Sequence, residues 1–192
     1  MTERLQIFYQ LESCTTFYKT KEAFGGLSNM AGGYVIQMGD IVVRSSEHLY
    51  QAMRFADPEL QKLVLAPPSP MTAKMIAKKH KHLTRPDWEE VKISIMEWVV
   101  ELKLRNNMET FGPLLVSALV KNEIVELSPK DNFWGAIPLK SDPRYARGTN
   151  VLGRLLWRLA RRHQINLPIR TKPYDEVPNL IFLGQNAVEL AA

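Results

Sequence analysis

The sequence predicts an α+β fold, mainly helical, with a few short strands in a single compact domain. Three observations carry that prediction. Apolar residues recur at three- and four-residue spacing through the middle of the chain, as on helix faces. β-Branched or alternating runs are confined to the N-terminal quarter and one later segment. Asp-Pro and Ser-Pro pairs open two of the periodic stretches, which is where a helix takes a capping residue followed by a proline.

In chain order, "LQIFYQL" reads as a strand, and "YVIQMGDIVVRS" as a hairpin turning near Gly39-Asp40. "GGLSNMAGG" between them is a small-residue loop. "SSEHLYQAMRF" reads as a helix with Leu49, Ala52, Met53 and Ala56 toward a core. "DPELQKLVLA" and "SPMTAKMIAKKHKHL" are helices capped by Asp57 and Ser69. "RPDWEEVKISIMEWVVELKLRNN" is the longest, with an apolar stripe of Trp88, Val91, Ile95, Trp98, Val99 and Leu102. "METFGPLLVSALV" is a shorter helical piece expected to break at Gly112-Pro113. "EIVELS" is a strand, and "NVLGRLLWRLARRH" an amphipathic last helix. The domain is expected to span residues 1–163. Residues 164–192, with three prolines and the strand-like run "NLIFL", are expected to form an extension docked on it.

A chain of 192 residues can bury roughly 70% of its extended surface, enough for a sizeable core. No run approaches the roughly 20 apolar residues that span a bilayer, so no membrane association is expected. The start lacks a signal peptide's apolar stretch, and the lone Cys14 suits a reducing, cytoplasmic setting. The net charge of +5 favours anionic partners without separating DNA from a phosphorylated metabolite.

Several residues could carry chemistry. On the first helix Glu47, Tyr50, Gln51 and Arg54 fall at i, i+3, i+4 and i+7 and can share one stripe. Glu47 would complement the positive helix end, worth about 0.3–1 kcal/mol, and the same dipole would hold it ionised as a base or cation-stabilising carboxylate. The two readings are compatible. In "SPKDNFWGAIPL", Trp134 either packs on the core or stacks on a flat base whose polar edge Asp131 addresses. Trp88 raises the same choice, and its stripe favours packing. In "GGLSNM", the glycines allow close backbone approach to a ligand and Asn29 offers a donor and an acceptor, although such a loop is commonly a turn. "RGTNVLGR" places Gly148, Asn150 and Gly153 at a helix start, either as an Asn-capped end or as a phosphate cradle. Lys74, Lys78, Lys79, Lys81 and Arg85, and Arg154, Arg158, Arg161 and Arg162, form two basic clusters, solvated faces or phosphate grips. His80 and His82 have no ligand-spaced partners, so no metal site is expected.

The segments "FYKTKEAFGGLSNM", "SSEHLYQAMRF", "SPMTAKM", "RPDWEEVK", "KDNFWGA" and "GTNVLGRLLWRLA", in this order, resemble the NADAR or YbiA-like family from Phe17 to His163. The resemblance implies hydrolysis of N-glycosidic bonds beside ribose phosphates, with no cofactor. It implies Glu47 as the catalytic glutamate of an S-E-H/A-x-Y-Q motif, and pocket roles for Trp88, Asp131 and Trp134. On this basis Glu47 activates water or stabilises a cationic sugar, and Asp131 orients the sugar or assists proton transfer. Trp88 and Trp134 stack on flat groups. Ser28, Asn29, Gln51, Gly148 and Asn150 hold ribose and phosphate. A lysine attacking the anomeric carbon is a second possible chemistry, with Lys21 or Lys74 the candidates.

The loop "KTKEAFGGLSNMAGG" resembles the branch associated with DNA-modifying ADP-ribosyltransferase toxins. That likeness implies removal of ADP-ribose from modified guanine in DNA, with a toxin encoded nearby as partner. The alternatives are cleavage of riboflavin-pathway ribosylamino pyrimidine intermediates, a ribose-phosphate metabolite being the ligand, or a module that binds ADP-ribose or nucleic acid without turnover. The sequence departs from the family after "WG", where "AIPLKSDPRYARG" makes a longer, more basic spacer.

Overall fold

The structure is a computed structural model that describes residues 7–173 and 177–192. In chain order the elements are β1 (Ile7–Gln10), β2 (Cys14–Phe17), β3 (Ile36–Met38), β4 (Ile41–Val43), α1 (Ser46–Ala52), α2 (Pro58–Leu65), α3 (Pro70–Lys79) and α4 (Trp88–Asn106). There follow α5 (Met108–Ser117), β5 (Glu123–Glu126), β6 (Ile137–Pro138), β7 (Tyr145–Gly148), α6 (Val151–Gln164), β8 (Ile181–Phe182), β9 (Gln185–Asn186) and α7 (Ala187–Ala191). The fold is α+β and mainly helical, as expected. The chain divides into two compact units, one of Met1–Ser28 with Glu109–Pro168, the other of Asn29–Met108 with Ile169–Ala192.

The first unit holds a three-stranded antiparallel sheet in the order β1-β7-β6 and the parallel pair β2-β5. Tyr9, Cys14, Val125, Ala136 and Ala146 form one hydrophobic cluster in it, with Ile7, Leu11 and Leu127 packed against them. Helix α6 lies on β5, with Gly153 close against the Ile124 carbonyl, and buries Leu152, Leu155, Leu156 and Leu159, the face its spacing predicted. Its arginines 154, 158 and 161 remain exposed. Helix α5 does not break at Gly112-Pro113. The missing N–H of Pro113 would have paired with Glu109, in the first turn, so one bond is lost near an end, while Phe111 and Leu115 on either side are fully buried.

In the second unit the expected hairpin forms between β3 and β4, with Gly39 at φ +56 in its turn. Asp57 and Ser69 cap their helices as read from the sequence, accepting from the Glu59 and Thr72 N–H groups, and of the adjacent serines 45 and 46 it is Ser45 that caps α1, accepting from the His48 N–H. Helix α4 carries its apolar stripe into the core, in contact with α1 and β3, and it is buried widely enough to enclose Lys92, Glu101 and Lys103 as well. Helix α1 ends at Ala52, so Ala56 is exposed rather than part of the core.

Residues 169–173 and 177–192 are bound within this unit by side chains of the helices. The Trp98 indole N–H donates to Thr171 O at 2.9 Å, and Glu101 accepts from the Arg170 N–H at 2.7 Å. Gln61, fully buried on α2, donates to Phe55 O and Ile181 O and accepts from the Leu183 N–H. "NLIFL" contributes β8, and "AVELA" forms α7, a helix the sequence reading did not predict. Arg85 is also consumed here: it is buried, ion-paired with Asp87 at 2.6 Å, and bonded to Pro178 O, so it leaves the basic cluster. Strands β2, β6 and β7 were not expected either. Leu5 and Gln6 of the predicted first strand lie outside the described residues.

Candidate active site

Glu47 occupies the second position of α1 and is 5% exposed. Its backbone N–H, one of the helix's first-turn donors, is bonded to Asn29 O at 3.1 Å, which holds Asn29 against the helix start. Its Oε1 accepts from Gln51 Nε2 at 2.8 Å, one turn on. Lys74 of α3 places Nζ 3.8 Å from the same oxygen, with its own side chain half exposed. The carboxylate is therefore buried, oriented by an amide and faced by one cation at its open side.

Two acceptors beside it are buried without a hydrogen-bond partner, Oε1 of Gln51 and Oδ1 of Asn29. The Asn29 amide nitrogen points to the Met96 sulfur at 3.0 Å, which orients Oδ1. Ser46 Oγ, at the first position of α1, is a third such atom. Buried acceptors left unpaired cost roughly 1–3 kcal/mol each unless a ligand satisfies them. Hydroxyl groups of a sugar are donors of the kind these oxygens need.

Beyond Gln51, Tyr50 and Trp88 meet with ring centroids 5.1 Å apart, tilted by 46°. Trp88 is 5% exposed, and the Arg54 guanidinium lies over its ring at 5.5 Å. Thus Asn29, Glu47, Gln51, Lys74 and Trp88, all expected site residues, lie in one unit around α1. His48, on the same helix, faces away from this chemistry. Its ring lies 2.8 Å from Ser45 Oγ and 2.9 Å from Pro67 O, and burial lowers its pKa, so the neutral ring serves as a strut.

The remaining expected residues lie in the other unit. Lys21 is exposed, and Ser28 is buried where it closes the turn at 25–27. Asp131 accepts from the N–H groups of Phe133 and Trp134, both at 2.9 Å, so its carboxylate shapes the loop that carries the tryptophan. Trp134 is half buried, with its ring edge-on to Phe133.

Asn150 is fully buried in the left-handed region at φ +50, and it does not cap α6. Its side chain instead accepts from the Glu126 N–H and donates to Ile124 O, tying the helix start to β5. The N–H groups of Thr149, Asn150, Val151 and Leu152 all bond to carbonyls of residues 132–135. Those donors are thus engaged with protein, not left open as a phosphate cradle. A Cβ on Gly148 would stand 2.3 Å from Gly135 O, so close backbone packing accounts for that glycine.

This arrangement follows the motifs of a known family. A family model of the NADAR domain matches residues 16–165. The chain belongs to the NADAR family. Among NADAR relatives, N-glycosidase YbiA of Escherichia coli (strain K12) is 30% identical, over 82% of this chain and 92% of the relative. The riboflavin biosynthesis protein VVA0006 of Vibrio vulnificus is 30% identical over 82% of this chain but only 41% of its own length. The chloroplastic riboflavin biosynthesis protein PYRR of Zea mays is 34% identical over 75% of this chain and 24% of its own length. The NMR structure of E. coli YbiA superposes with a TM-score of 0.64 at 26% identity, covering 81% of this chain and 91% of that one. Among the described residues no helix is long and apolar enough to cross a membrane.

Sequence reasoning did not assign Thr84, whose hydroxyl accepts from Arg54 Nε at 2.9 Å, or Met96. No motif marks either, because Thr84 meets Arg54 and Met96 meets Asn29 from far along the chain. Arg54 and Tyr50 were legible as members of the polar stripe, though not as site residues.

Proposed function

We propose that this protein is an N-glycosidase that hydrolyses the bond between a base and a ribose phosphate, and that it removes ADP-ribose from modified guanine in nucleic acid. One observation carries the general reading: a buried carboxylate, Glu47, held by Gln51, with unpaired acceptors on Gln51 and Asn29 beside it. Breaking a ribosyl C–N bond builds positive charge at the anomeric carbon and negative charge on the departing base. A carboxylate in a water-poor site stabilises the first without reorganising. Glu47 also accepts a proton from the attacking water. The water's oxygen bonds to the anomeric carbon as the C–N bond breaks, and a proton ends on the departing nitrogen. The unpaired oxygens accept from sugar hydroxyls, and the Lys74 ammonium faces the carboxylate at 3.8 Å. The names carried by the YbiA relatives support the same class of reaction.

The choice of substrate draws on the exposed lysines 74, 78, 79 and 81 along α3 and its following turn, a row suited to phosphates beyond the modified base. A second reading, cleavage of free ribosylamino pyrimidine phosphates, is favoured by the relatives named as riboflavin biosynthesis proteins in Vibrio and maize. The partner under the first reading is ADP-ribosylated DNA and the toxin that makes it. The decisive comparison offers ADP-ribosylated single-stranded DNA and the pyrimidine ribose phosphates to the same enzyme at two salt concentrations. Faster release from DNA, falling steeply with salt, supports the first reading. Turnover of the free intermediates alone replaces it with the second.

A further inference from the structure

We propose that Arg54, with Thr84 and Trp88, forms the site that receives the substrate's phosphate, so that α1 holds the scissile sugar at one end and its anion at the other. Arg54 is half buried just past the C-terminus of α1. Its Nε donates to Thr84 Oγ1 at 2.9 Å and its plane lies 5.5 Å over the Trp88 ring. These two contacts orient the guanidinium without neutralising it. Among the described residues no carboxylate lies within ion-pair distance of Arg54. This sets it apart from Arg85 and Arg144, which are paired with Asp87 and Asp142.

A partly desolvated cation without an anion is costly unless a ligand supplies one. A fork whose Nε is already engaged presents its remaining N–H groups to a planar or tetrahedral oxyanion. Geometry selects which anion. Glu47 lies in the first turn of α1 and Arg54 lies two residues past its last residue, Ala52, so the two stand toward opposite ends of the helix. The Trp88 ring meets both Tyr50 of α1, at 5.1 Å between centroids, and Arg54, at 5.5 Å. A ribose whose anomeric carbon faces Glu47 can therefore lie along the Tyr50–Trp88 pair and extend its 5′-phosphate toward Arg54. A ribose 5-phosphate and the diphosphate of ADP-ribose share that chemistry. The assignment rests on the N-glycosidase reading for the position of the sugar, although the anion site itself does not.

The test compares wild type, Arg54→Met, Arg54→Lys and Thr84→Val. Each is titrated calorimetrically with ribose 5-phosphate and with ADP-ribose. Each is also assayed on a cleavable ribosyl phosphate and on its dephosphorylated counterpart, with melting temperature as the control for folding. Removing a charged hydrogen-bonding group predicts an affinity loss of about 10–100-fold for Arg54→Met. The same variant should lose kcat/KM on the phosphorylated substrate and hardly change on the dephosphorylated one. Arg54→Lys should restore part of the loss, and Thr84→Val, which removes only the orienting hydroxyl, should give a smaller fall in the same direction. A larger loss for ADP-ribose than for ribose 5-phosphate identifies the diphosphate as the natural anion, and equal losses identify the monophosphate. If wild type cleaves neither substrate yet binds these phosphates through Arg54, the N-glycosidase reading fails and the anion site stands. Equal losses on the phosphorylated and dephosphorylated substrates, or no phosphate binding by wild type at millimolar concentration, overturn the proposal.

Discussion

Glu47→Gln replaces one carboxylate oxygen by an amide nitrogen of nearly the same volume, in a position only 5% exposed. The new amide can keep an oxygen toward Gln51 Nε2, now 2.8 Å from Glu47, so packing and that hydrogen bond survive. Two favourable terms are lost. The ion pair with Lys74 is long, at 3.8 Å, and Lys74 is half exposed, so solvent screening holds it below about 1 kcal/mol. The charge–dipole interaction at the start of α1 adds about 0.3–1 kcal/mol. The relief of no longer burying a carboxylate opposes both. The net change should stay within about 1 kcal/mol, which is a shift of roughly 2–4 °C in Tm for a chain of this size. Catalysis should respond on another scale. Loss of the proton acceptor predicts a fall of about 10²–10⁴-fold in kcat, equivalent to about 2.7–5.4 kcal/mol of barrier. Single-turnover release of base from a substrate the wild type cleaves, run beside a melt, separates the two effects. A folded variant within about threefold of the wild-type rate would refute the role given to Glu47. So would a loss of rate accompanied by a melting drop beyond about 10 °C, which would mark Glu47 as structural.

Asn150→Ala should destabilise by about 3–5 kcal/mol, because it strands the Glu126 N–H and the Ile124 carbonyl and keeps a left-handed backbone without asparagine; a denaturant midpoint that barely moves would remove it from the frame. Lys103 is fully buried on α4 under the Tyr34 ring, and burial pushes its pKa down from 10.5 to about 7. From about pH 7 to 10 the unfolded chain binds more protons at this group than the folded one, so stability rises with pH and is lowest below 7. Lys103→Met should therefore stabilise by roughly 1–4 kcal/mol at neutral pH, with a gain that shrinks toward pH 10; thermal melts at pH 6 and 9 check this, and a variant less stable at pH 6 would contradict it. Trp134→Ala should weaken binding of the base by about 1–3 kcal/mol, read by titration beside a melt; unchanged affinity in a folded variant would exclude stacking.

The sequence by itself determined the elements whose cause is local. The caps Ser45, Asp57 and Ser69, the prolines after the last two, the Gly39 turn and the periodic faces of α4 and α6 are set by residues a few positions apart. The pairing of Glu47 with Gln51 was legible for the same reason, since helix geometry alone brings i and i+4 together, whereas Arg54, expected on the same stripe, lies past the end of α1. Motif order was enough to name the family. The short strands β2, β6 and β7 were not legible, because two to four residues carry too little pattern and each exists only through its partner strand. The tertiary structure also decided what each polar group is used for. Asn150 reads as a cap or ligand residue until β5 arrives to claim both ends of its amide. Arg85 reads as part of a basic patch until Asp87 and the carbonyl of Pro178 enclose it. Arg54 looks the same in sequence, yet Thr84 and Trp88 orient it and, among the described residues, no carboxylate lies within ion-pair distance. A side chain's charge is written in the sequence; whether that charge is neutralised depends on residues far along the chain that only folding brings near.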